Sequence, residues 1–141
     1  MKRSTVAIAS IAVAIAALGP DGAMATAQRT FVASYGNDAN ACSLTQPCRG
    51  FAAAVAKTDR NGEVIVLDSA GYGPVTINQP ISIVAPAGIY AGITLSSDGS
   101  TGITINAGSN DQVILRGITV NTRFSSTKCI DVQAANVVIH G

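Results

Sequence analysis

The residues able to do chemistry are few and dispersed. Of 141 residues only eight are acidic, and from residue 63 onward Asp68, Asp98, Asp111 and Asp131 stand singly, with Glu63 the only Glu. No Asp-x-Asp or Glu-x-Glu pair holds two carboxyls over one groove, as hydrolysis between two acids requires. His140 is the only histidine, and no Gly-x-Ser-x-Gly turn occurs, so a nucleophile has no base at an interpretable spacing. Cys42 and Cys48 lie too far apart for a Cys-x-x-Cys site and His140 is at the other end of the chain, so neither metal nor cofactor is expected. Asn37, Asp38 and Asn40 form either a weak calcium loop or an Asx turn. Gly108-Ser109-Asn110-Asp111 is a turn that does not recur, which excludes the calcium-binding nonapeptide repeat.

Met1-Lys2-Arg3, the uncharged Ala/Ile/Val run from Val6 to Leu18 and the small residues Ala23 to Ala27 have the order of a secretory signal peptide, assigned to 1–27. The apolar run falls short of the roughly 20 residues a spanning helix needs, so no membrane span is expected. Cleavage near Thr26 or Gln28 removes Lys2, Arg3 and Asp21, and takes nine basic and eight acidic groups to seven of each. Such a balance argues against a grip on nucleic acid. Export to the periplasm or beyond favours a Cys42–Cys48 disulfide, worth roughly 2 to 3 kcal/mol. Cys129 is left over, and is expected as a free, buried thiol beside a strand.

Between Val64 and Ile139 one short phrase repeats: an apolar residue, a spacer, another apolar residue. Val75/Ile77, Ile81/Ile83, Ile93/Leu95, Ile103/Ile105, Val113/Leu115, Ile118/Val120, Ile130/Val132 and Val137/Ile139 carry it, with Gly, Asn, Asp, Ser or Pro between most pairs. Period-two alternation puts each pair on one face of a strand. No strand so short buries that face alone, whereas stacked coils give each pair a counterpart above and below. The pattern predicts an all-β fold, a single-stranded right-handed parallel β-helix (a solenoid) over 63–141.

The remaining segment, 28–62, reads as a strand at Thr30–Ser34, a turn-rich loop at Tyr35–Asn40, the disulfide loop, and a short helix between Pro47 and Thr58 with Phe51 and Val55 on its apolar side. A helix here caps the first coil, whose core and strand groups would otherwise be open. Asp59-Arg60-Asn61-Gly62 is then a turn, Asp68–Pro74 a corner, and Val113–Asn121 two strands around Gly117. No polar cap follows Val137–Ile139, so the solenoid is expected to be C-terminally incomplete, either shortened or covered by a partner or second copy.

Three stretches carry a family resemblance: Phe31 through Cys42, then Pro47-Cys48-Arg49-Gly50-Phe51, then Gly62-Glu63-Val64 through Asp68 with Gly71-Tyr72-Gly73 and the Val-Thr-Ile and Ile-Ser-Ile pairs. Together they resemble exported bacterial right-handed parallel β-helix proteins of the pectin lyase-like class. That class includes polysaccharide lyases, hydrolases and phage or adhesin modules, and such a fold does not transfer an activity. Lyase chemistry needs converging carboxylates for calcium and a basic residue to take a proton, and the single Asp residues do not supply the cluster. Arg116, Arg123, Lys128 and Asp131 are the candidate ligand-binding residues, a basic patch suited to an acidic sugar. Three functions follow: a structural or glycan-binding module without a catalytic site, a lyase-like enzyme or its N-terminal remnant, and an adhesin-like protein that self-associates at its uncapped final rung. The corresponding partners are a polysaccharide or cell-surface glycan, or a second copy.

Overall fold

The computed structural model describes residues 26–122 and 128–141. Residues 1–25, which hold most of the expected signal peptide (1–27), and Arg123 lie outside the described residues. Eleven strands and one helix follow one another among those described: β1 (Ala27–Val32), α1 (Phe51–Ala56), β2 (Thr58–Val66), β3 (Ala70–Gly71), β4 (Val75–Ile77), β5 (Ile81–Val84), β6 (Ala91–Leu95), β7 (Thr101–Asn106), β8 (Gln112–Arg116), β9 (Ile118–Thr122), β10 (Lys128–Ala134) and β11 (Asn136–His140). The fold is all-β. Its strands form three sheets ordered β1-β2-β5-β8-β11, β4-β7-β10 and β3-β6-β9, and every strand pairing is parallel.

That order has a simple cause in the sequence. From β2 onward the chain visits the three sheets in turn, so each strand meets the one three elements later. The pairs at 93, 103 and 113, ten residues apart, therefore fall in three different sheets, on β6, β7 and β8. Within a sheet the pairs stack in register: Val64 on Ile83 on Leu115 on Ile139, and Ile77 on Ile105 on Val132. Val64, Ile83, Leu115, Ile77 and Ile105 are all buried, and one apolar cluster contains residues of all three sheets. Each such side chain contributes roughly 1.5 to 3 kcal/mol by leaving water.

Helix α1 packs against β1, β2 and β4 and places Phe51, Ala54 and Val55 in the same cluster. It starts later than the sequence suggests. Cys48 is held extended beside β1, where its N–H donates to Phe31 O (2.9 Å) and its carbonyl accepts from Ala33 N (3.0 Å), so Pro47 lies before the helix and not in its first turn. Cys42 and Cys48 form the expected disulfide, with Cα atoms 4.6 Å apart.

Three other expectations need correction. Asp59–Gly62 is no separate turn: it lies inside β2 as an irregularity, with Thr58 opposite Ala27 and Glu63 already opposite Arg29. Asn61 takes a left-handed φ of 61° there, a conformation its short polar side chain tolerates. The Asp68–Pro74 corner contains β3, which pairs Gly71 with Gly92. Cys129 is free but exposed. The alternation explains it: Cys129 shares the outward parity of Asp131, opposite to Ile130.

Candidate functional site

The loop at Asn37–Asn40 has its polar groups satisfied from within. Asn37 Oδ1 accepts from Ala39 N (2.9 Å), an Asx turn, and Asp38 Oδ1 accepts from the N–H groups of Arg49 and Gly50 (2.8 Å each). The carbonyls of Asp38 and Asn40 both accept from the Lys57 ammonium. A cation belonging to the chain therefore occupies the oxygens that calcium would have used. Among the described residues no three His, Cys, Asp or Glu side chains gather as metal ligands.

A second polar group, unseen in the sequence, joins β1 to the corner after β2. The Asp68 carboxylate accepts from Ser34 N (2.8 Å), from the Ser34 hydroxyl and from the Tyr72 phenol, which also donates to Asp68 O (2.6 Å). Tyr72 is buried against Phe51, ring centres 5.2 Å apart, and the Arg49 guanidinium stands 5.8 Å over its ring. Burial pushes the Asp68 carboxyl up, but hydrogen bonds from Ser34 and Tyr72, with attraction from Arg49, outweigh it and hold the group below its ordinary value. For Tyr72, burial and then the Asp68 hydrogen bond and charge push the phenol far above its ordinary range. Both shifts run against catalysis at neutral pH, because a carboxylate held low is a poor base and a phenol held high a poor nucleophile. The only sequence signal was the i, i+4 spacing of Asp68 and Tyr72, which means nothing across a corner.

The candidate ligand residues divide between sheets. Arg116 ends β8 in the five-stranded sheet, exposed, in register between Val84 and His140. It borders a cleft of about 430 Å³ formed with the Ala85–Ile89 corner, Gly117 and Gly141. Lys128 and Asp131 lie on β10 in a different sheet and pair with each other at 3.3 Å. One continuous basic patch is therefore not what the described residues form. Which sheet a residue joins depends on corner lengths, and its own type and spacing do not reveal it.

A shallow groove runs along the outer face of that second sheet beside α1. Thr76, Thr104 and Asp131 are in register across β4, β7 and β10. Thr76, Thr101 and Thr104 line a cleft of about 260 Å³ with Ala52, Pro74 and Val75. A neighbouring cleft of about 200 Å³ shares Ala52 and Thr76 and adds Val55, Ala56, Asn78 and Gln79. Lys128, opposite Thr101, stands next to this row. Hydroxyls and amides over a small apolar floor can hold a hydroxylated ligand by hydrogen bonds and contact; they supply no paired carboxylates. The chain matches no protein-family model, no curated protein and no solved structure.

Proposed function

We propose that this protein is an exported right-handed parallel β-helix module of the pectin lyase-like class that binds a polysaccharide or cell-surface glycan without cleaving it. The observation that carries the reading is the hydroxyl-lined groove beside α1, with Thr76 and Thr104 at register positions on parallel strands. Parallel stacking repeats a hydroxyl at the strand spacing of about 4.8 Å, which suits a polymer of repeating hydroxyl-bearing units. The helical solenoid is supported by the order in which the strands visit the three sheets. The binding reading rests on the groove's chemistry, hydroxyls and amides with no paired carboxylates among its described lining residues.

The test is affinity electrophoresis of the purified protein through gels containing neutral or uronate polysaccharides, with absorbance followed for unsaturated products. Retardation without new absorbance is the expected result. New absorbance would replace the reading by a lyase, and unretarded migration in every gel would remove the glycan reading altogether. A second reading, self-association, is favoured by one observation: Val132 and Ile139 are 48% and 57% exposed although they continue buried apolar columns. Sedimentation at rising concentration distinguishes it, since a constant monomer mass rules it out.

A further inference from the structure

The sheet formed by β3, β6 and β9 contains no charged residue in any of its strands, and on its outer face lies Tyr90, 45% exposed. The ring is laid across Gly92: a Cβ added at that glycine would come within 2.6 Å of the ring. A side chain at position 92 would have to push the ring aside. The Tyr90 hydroxyl accepts from Asn121 Nδ2 at 2.7 Å. Its backbone is fixed from the opposite side, where Tyr90 N donates to Ser69 Oγ (2.9 Å) and Tyr90 O accepts from Ala70 N (2.9 Å). Three successive passes of the chain thus hold one exposed aromatic ring in a fixed orientation. Around it stand exposed hydroxyls, Thr119 opposite Gly92 and Thr94 opposite Asn121.

We propose that Tyr90 is the stacking platform for one pyranose ring of a neutral saccharide. The proposal rests on the glycan-binding reading and adds a second contact face to it. An aromatic face attracts the partly positive C–H groups of a sugar as it attracts other positive edges, and a ring already held in place has little rotamer freedom to lose on binding. Hydroxyl and amide neighbours bond to the sugar's rim. The uncharged sheet matches a neutral ligand and offers an acidic one no counter-charge on its strands. A purely structural role, in which Tyr90 only shields the backbone at Gly92, leaves affinity independent of the ring.

Isothermal titration of the purified protein with cellohexaose, mannohexaose and trigalacturonate tests it, using Tyr90→Ala, Tyr90→Phe and Asn121→Ala. Tyr90→Ala is expected to weaken a neutral hexasaccharide about tenfold, and Asn121→Ala, which keeps the ring but frees it, about threefold. Tyr90→Phe is expected to stay within about twofold of the parent. Neutral binding unchanged in Tyr90→Ala but lost in Thr104→Val overturns the platform and leaves the glycan reading intact. Binding to trigalacturonate alone overturns the neutral ligand. No binding to any of the three overturns the platform together with the reading on which it rests.

Discussion

Two stretches of the same apolar column behave differently. Ile83 is 1% exposed and Leu115 1%, whereas Ile139, next in register, is 57% exposed; Ile77 and Ile105 are fully buried, and Val132, their continuation, is 48% exposed. Residue class and facing are alike in both stretches. What differs is the cover: β5, β7 and β8 have a strand on each side and β4 lies between β7 and α1, whereas β9, β10 and β11 each pair with one described strand. Burial here is set by what covers a residue on each side, not by its type.

The sharpest way to break that comparison is to shorten the same side chain in both places. Ile83→Ala removes packed methyl groups with neighbours on both sides and is expected to cost about 2 to 5 kcal/mol, against less than about 1 kcal/mol for Ile139→Ala. Urea unfolding of both variants measures the difference, and equal costs would mean that the outer column is covered in solution. The next effect belongs to the densely packed end. Replacing Cys42 and Cys48 by Ser removes a short staple beside β1 and α1, with an expected loss of about 2 kcal/mol in the same assay. A loss near zero would mean that the loop is held by its hydrogen bonds alone.

Corners test the comparison at a finer scale. Gly117 (φ 68°) and Gly88 (φ 86°) both have a left-handed backbone. A Cβ at Gly117 would lie 2.8 Å from Ala85 O, in the corner stacked below, while one at Gly88 meets nothing within 4 Å. Gly117→Ala therefore combines backbone strain with a clash and is expected to cost about 2 to 3 kcal/mol, and Gly88→Ala about 1 kcal/mol from strain alone. Thermal unfolding of the pair decides whether stacking reaches the corners, and equal shifts would say that it does not.

The apolar pairs made the strands legible, because alternation over three residues, bounded by Gly, Pro or Asn, leaves one face to bury. The two strands around Gly117 were legible for the same reason. Asp59–Gly62 carried the residues of a turn, yet Thr58 is tied to Thr30 across the strands (2.7 Å) and to Ala54 O (2.7 Å), and this fixes β2 from its first residue. Local turn propensity lost to tertiary pairing. Cys129 was misread by treating a cysteine as a small hydrophobe when its own parity pointed outward. Of the candidate ligand residues, Lys128 and Asp131 share β10 and pair there, but the sheet that separates them from Arg116 is set by corners whose path no short-range pattern encodes. Tyr90 gave no signal, since a lone aromatic has no period.

The smallest effects come from titration, and they again separate the densely packed end from the rest of the chain. Asp68 is held below its ordinary value of 3.8 in the folded protein, so its contribution is complete above that value and fades as pH falls through the lower, folded one. Tyr72 is raised above its ordinary 10.0; folding then favours the neutral phenol, and that contribution is complete below pH 10 and declines as pH rises beyond it. Stability should therefore fall off at both extremes, with Asp68→Asn flattening the acid side and Tyr72→Phe the alkaline side. Because the two groups share a hydrogen bond, Asp68→Asn should also ease the alkaline decline by removing the carboxylate charge that opposes ionisation of Tyr72. Urea midpoints measured from pH 3 to pH 11 would show this coupling, and an alkaline limb untouched by Asp68→Asn would mean that burial alone, and not the carboxylate, keeps the phenol protonated.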